Sequence, residues 1–124
     1  GNDLPDTKRI YVNDGHDRFR LADTFGKAEW PTRNISLADL NGDQRVDIIV
    51  ANRSTRHLSQ NYICLNDGAG HFPSCAVLSD ESATTIAAAD FDGNGPIDLV
   101  VPHRDGGQSY IFPNDGTGHF KQGK

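Results

Sequence analysis

Two motif types occur twice each in this chain, always in the same order, and that order restricts the fold more than any other feature. "ISLADLNGDQRVDIIVA" (Ile35–Ala51) is matched by "IAAADFDGNGPIDLVVP" (Ile86–Pro102). After each comes a second motif. "YICLNDGAGHF" (Tyr62–Phe72) and "YIFPNDGTGHF" (Tyr110–Phe120) are identical at eight of eleven positions, 48 residues apart. A degenerate third copy, "YVNDGHDRF", stands alone at Tyr11–Phe19. A spacing of about fifty residues excludes the shorter leucine-ladder repeats, which run at about 20–29.

Local chemistry assigns strands to the flanks. "VDIIVA" and "IDLVV" are rich in β-branched residues, "NYICL" and "SYIF" are strand-like, and "TIAAA" is a short run of small apolar residues. Asn-Asp-Gly is a hairpin signal, because these residues tolerate the left-handed backbone of a tight turn. Each repeat therefore reads as four antiparallel strands: A, acid loop, B, loop, C, N-D-G turn, D. Ala22–Trp30 is the one stretch with any helical pattern. Four-stranded units of this length are the unit of a β-propeller blade. The expectation is an all-β partial propeller: a half blade over residues 1–22, a blade over 30–75 and a blade over 82–122. Acid loops and N-D-G turns would share one end of the blades, and the B–C and D–A loops the other.

The acid loops carry the chemistry. Asp39, Asn41, Asp43 and Asp47 occupy positions 1, 3, 5 and 9 of the first loop, as Asp90, Asp92, Asn94 and Asp98 do in the second. Alternating oxygen donors let one loop wrap a hard cation such as Ca2+, with a backbone carbonyl at position 7 (Arg45 or Pro96) as a further ligand. Carboxylates this dense repel one another unless neutralised. An EF-hand would need Glu at position 12, where this chain has Val50 and Val101. The plainer alternative is a pair of Asx turns capped by carboxylates. Net charge is −5, and two divalent cations would offset most of it. No basic stripe is present, which argues against nucleic acid.

These residues resemble the FG-GAP/VCBS repeat, in which a small-apolar strand leads into an acid loop followed by "DLVV" or "DIIV" and then an N-D-G turn. The resemblance covers residues 35–120 and, in part, 9–20. It implies blades of an integrin-α-like β-propeller with calcium at the two loops. The chain departs from the family in repeat number, since closed propellers of this kind have more blades. It therefore reads as part of a longer propeller chain or as a homo-oligomer. The function expected is non-catalytic display of loops to a protein or glycan, with structural calcium, in an extracellular, cell-surface or periplasmic setting. The alternatives are a scaffold segment of a larger polysaccharide lyase or oxidoreductase, and a chain designed to test propeller self-assembly.

Other residues invite weaker readings. His71 and His119 lie in the repeated "GHF" and read as structural. Trp30 and Arg33 in a D–A connection, with Arg53, His57, His103 and Arg104 near the B–C loops, form a candidate ligand-binding patch. Trp30 would either stack on a sugar or cover a gap between blades. No nucleotide, zinc-protease or serine-hydrolase motif occurs. Cys64 and Cys75 flank a hairpin, which leaves a disulfide or two thiols open. "NIS" at Asn34 and "NRS" at Asn52 match the glycosylation pattern. No run approaches a membrane span. Position 1 is Gly and no leader pattern is visible, so a mature, trimmed or recombinant chain is expected.

Overall fold

The computed structural model describes residues 6–54, 59–103 and 106–121. It is all-β among these residues, with nine strands in three antiparallel sheets. Strands β1 (Lys8–Asn13) and β2 (Phe19–Phe25) form the first sheet. The second sheet runs in sequence order through β3 (Thr32–Ala38), β4 (Asp47–Asn52), β5 (Asn61–Cys64) and β6 (Cys75–Ser79). The third has β7 (Ala87–Ala89), β8 (Asp98–Val101) and β9 (Tyr110–Phe112). In this sheet the returning fourth strand is reduced to one bridge, Asn114 to Phe120. The weak helical pattern at Ala22–Trp30 does not form a helix. Its first part continues β2 to Phe25 and the rest is a turn.

The three sheets stack in series, and β4 shows why. All six of its residues are buried. A strand alternates its side chains between two faces, and here both faces are covered. Ile48 and Val50 pack with Phe25, Trp30 and Cys64 between the first and second sheets. Ile49 and Ala51 pack with Ile63, Leu99, Val101 and Phe112 between the second and third. This double burial is what an apolar run such as "IIVA" selects for.

Polar groups fix the connections. Lys8 is buried, and its Nζ donates to the carbonyls of Asp6, Lys27, Ala28 and Trp30 at 2.8–3.0 Å. Desolvation lowers its pKa, and the carboxylates of Asp6 and Glu29 partly counter this. The lysine thereby pins the turn that leads from the first sheet to the second. Cys64 and Cys75 face each other in register across β5 and β6 and are disulfide-bonded, with Cα atoms 4.2 Å apart. β6 begins at Cys75, three residues beyond the Phe72 that closes the N-D-G motif. Asn52 is 1% exposed and donates to the Gln60 carbonyl, so this "NRS" acceptor is inaccessible in the fold.

The candidate cation-binding loops

Both acid loops fold the same way, and position 1 organises them. In the first, Asp39 Oδ1 accepts from the backbone N–H groups of Gly42 (2.8 Å) and Asp43 (3.2 Å), and Oδ2 from Gln44 (2.8 Å). In the second, Asp90 Oδ1 accepts from Gly93 (2.8 Å) and Asn94 (3.1 Å), and Oδ2 from Gly95 (2.9 Å). Position 3 supports the next corner: Asn41 Oδ1 accepts from Asp43 N–H, and Asp92 Oδ1 from Asn94 N–H. These are Asx turns nested in one another. They account for the loop backbone and leave the clustered negative charge to be explained.

Position 9 has a second duty. Asp47 and Asp98 are buried, at 0% and 2% exposure. Asp47 accepts from Leu40 N–H on its own loop and from Asn66 N–H at the start of the N-D-G turn. Asp98 does the same with Phe91 and Asn114. Each carboxylate therefore joins an acid loop to its N-D-G turn, which sets both motifs at one end of the blade. The turn asparagines complete the link. Asn66 Nδ2 donates to the Val46 carbonyl, while Asn114 Nδ2 donates to the carbonyls of Ile97 and, across the sheet boundary, Leu40. Asn66 and Asn114 are supporting residues of the acid loops that the sequence reading missed. The signal was their constant place at the head of the repeated N-D-G.

The loops differ in how their charges converge. Carboxylate oxygens of Asp90, Asp92 and Asp98 lie within 4.8 Å of one another, which among the described residues is the one such grouping. In the first loop the extra acid stands at position 5 as Asp43, whose carboxylate turns to Arg45 Nη1 at 3.7 Å and accepts from Arg45 N–H. Burial raises the pKa of Asp47, two backbone N–H groups pull it back, and Asp43 and Asp39 push it further up. The donor set of the second loop, all oxygen and three carboxylates deep, fits a hard divalent cation. At position 7, Arg45 is exposed and Pro96 half-buried. The Arg45 guanidinium packs against Gly68, where an added Cβ would meet it at 2.9 Å.

The patch expected at the opposite end is not assembled as expected. Trp30 is buried, stacked on Tyr62 with centroids 3.9 Å apart, and Gly26 lies against its six-membered ring. As a sugar-stacking platform Trp30 is therefore corrected; it covers the gap between the first two sheets. Arg53 donates its N–H to the Pro31 carbonyl, placing the end of β4 beside the D–A connection. A cleft of about 320 Å³ opens there, lined by Glu29, Ser54, Gln60 and the edges of Trp30 and Tyr62. Arg33 is exposed on β3, away from this lining. His103 belongs to the loop of the third sheet, where its Nδ1 accepts from Gly107 N–H and its own N–H donates to Ser109 Oγ. His57 and Arg104 lie outside the described residues. The histidines of "GHF" serve the turns: His71 Nδ1 lies 2.8 Å from Asp23 Oδ2 on β2, and His119 Nδ1 2.8 Å from Thr117 Oγ1. Asp23 sits below the usual carboxylate range, chiefly through Thr24 N–H and then through His71.

No curated protein and no solved structure gives a significant match to the chain. A family model does match, that of the FG-GAP-like repeat, over residues 39–101. The match runs from position 1 of the first acid loop through the whole of the second to the end of β8. With the three antiparallel sheets and the doubled loops, it establishes that this chain belongs to the FG-GAP-like repeat family.

Proposed function

We propose that this chain is a non-catalytic propeller segment whose acid loops hold calcium as a structural ion. The observation that carries the reading is the convergence of Asp90, Asp92 and Asp98 oxygens within 4.8 Å. Two of these carboxylates are exposed and one is buried beneath them. A cation bound there would neutralise the group and tie strand A, strand B and the N-D-G turn through Asp98. Asp39, Asn41, Asp43 and Asp47 would form the second site, with the carbonyls of Arg45 and Pro96 completing the two shells. Anything that binds the folded chain alone adds stability in proportion to its occupancy. The segment would then present its B–C and D–A loops to a protein or glycan outside the cytoplasm.

The supporting chemistry is a division between the two ends. One end gathers the carboxylates of the acid loops beside the N-D-G turns. The other carries a cleft between the D–A connection and the end of the second sheet, where recognition loops usually lie. The test is thermal unfolding in calcium and in EDTA. The wild type should melt at a higher temperature in calcium, and Asp90→Ala should lower that temperature and shrink its dependence on calcium to what the first loop supplies. Equal melting of the wild type in both buffers would refute the reading.

A further inference from the structure

The internal repeat shows which faces of the stack are meant to be covered. The second and third sheets correspond residue by residue: Ile48, Val50, Cys64 and Tyr62 align with Leu99, Val101, Phe112 and Tyr110. The first group turns toward the first sheet, and the second group turns toward the second sheet. Every blade thus lays the same back face on the front face of the blade before it. The front face of the second sheet is Leu40, Ile49, Ala51 and Ile63, each buried to 6% exposure or less. The aligned front of the third sheet is Phe91, Val100, Pro102 and Ile111. Among the described residues it belongs to neither buried core, and Phe91 and Ile111 are 50% and 44% exposed.

The opposite end of the stack carries the complementary face. Aligning the N-D-G turns places Tyr11 of β1 at the position of Cys64 and Phe112, on the back of the first sheet. Tyr11 pairs with Leu21 across the strands and Asn13 with Phe19, so all three apolar side chains share that back face. Tyr11, Leu21 and Phe19 are 56%, 56% and 66% exposed. The front of the same sheet is already used, with Ile10 and Phe25 packed against the second sheet.

We infer that the front of the third sheet docks on the back of the first sheet of a second copy of this chain, head to tail. Tyr11 of one copy takes the place over Val100 and Ile111 of the other that Phe112 takes over Ile49 and Ile63 within the chain. The occupant is a second copy because the two free faces continue the internal interface in the same sense: one ends as a front and the other as a back. Two identical faces would instead meet across a two-fold axis. The inference rests on blade stacking and not on the cation.

The experiment is light-scattering mass for the wild type, Tyr11→Glu, Ile111→Glu and an equimolar mixture of the two variants, in calcium and in EDTA. Both positions are exposed, and circular dichroism checks that each variant keeps its strands. The wild type should exceed the 13.5 kDa monomer as concentration rises. Each variant alone should stay at 13.5 kDa. The mixture should form a pair of one copy each, because the intact back of Ile111→Glu still meets the intact front of Tyr11→Glu. A wild type that stays monomeric at every concentration overturns the inference. So does a mixture that stays monomeric while the wild type assembles, which would point to a face-to-face contact.

Discussion

The two acid loops have nearly the same backbone and different electrostatics. Position 1 gathers three N–H groups in each, and position 9 joins each loop to the asparagine of its turn. The differences that bear on charge and backbone lie at positions 3, 5, 6 and 7. The second loop has its extra acid at position 3, close to Asp90 and Asp98. The first has it at position 5, where Arg45 already answers it. At position 6 the second loop places Gly95 at φ 108°, and the first forces Gln44 to φ 65°, a conformation that side chains other than glycine adopt at a cost. Hydrogen bonding alone thus suffices to shape such a loop, while its charge decides how strongly it calls for a cation.

That comparison is sharpest at position 9. Asp47→Ala and Asp98→Ala each leave two N–H groups without an acceptor, one of them at the head of an N-D-G turn. Each should cost about 3 kcal/mol in EDTA, since unpaired buried donors cost roughly 1–3 kcal/mol apiece. In calcium the cost of Asp98→Ala should exceed that of Asp47→Ala, and equal costs in urea unfolding would erase the distinction between the loops. A smaller effect is expected at position 3. Asp92→Asn should weaken calcium binding at the second loop about tenfold, as loss of one charge from a carboxylate ligand set does on the scale of about 1.4 kcal/mol per decade; calorimetric titration reads it. Arg45→Gln releases Asp43 and should tighten the first loop by only about threefold, because exposed ion pairs are worth about 0.2–1 kcal/mol. Gln44→Gly should stabilise the chain by about 0.5–1 kcal/mol through relief of its positive φ, checked as a shift in the denaturation midpoint.

Much of this was legible in the sequence, for identifiable reasons. Alternating oxygens followed by "DIIV" or "DLVV" mark a loop and its strand, because spacing and β-branching act locally. Val50 and Val101 at position 12 are both fully buried, in keeping with strands rather than a second helix. The reading failed where the answer depends on register or on distant elements. Cys64 and Cys75 bond because β5 and β6 place them opposite one another, which an eleven-residue separation does not specify. Trp30 is sealed by Tyr62, 32 residues away in sequence. Nothing local in the sequence marks Lys8, whose four carbonyl acceptors come together only in the fold. Asp47 and Asp98 looked like cation ligands alone, and their bonds to Asn66 and Asn114 exist only once strand C lies beside strand B.

The most direct test of the account is an equilibrium calcium titration of the wild type, Asp39→Asn and Asp90→Asn, read by calorimetry. The account predicts two sites of unequal affinity in the wild type, loss of the tighter one in Asp90→Asn and loss of the weaker one in Asp39→Asn. No saturable binding in the wild type, or loss of the tighter site in Asp39→Asn instead, would contradict it.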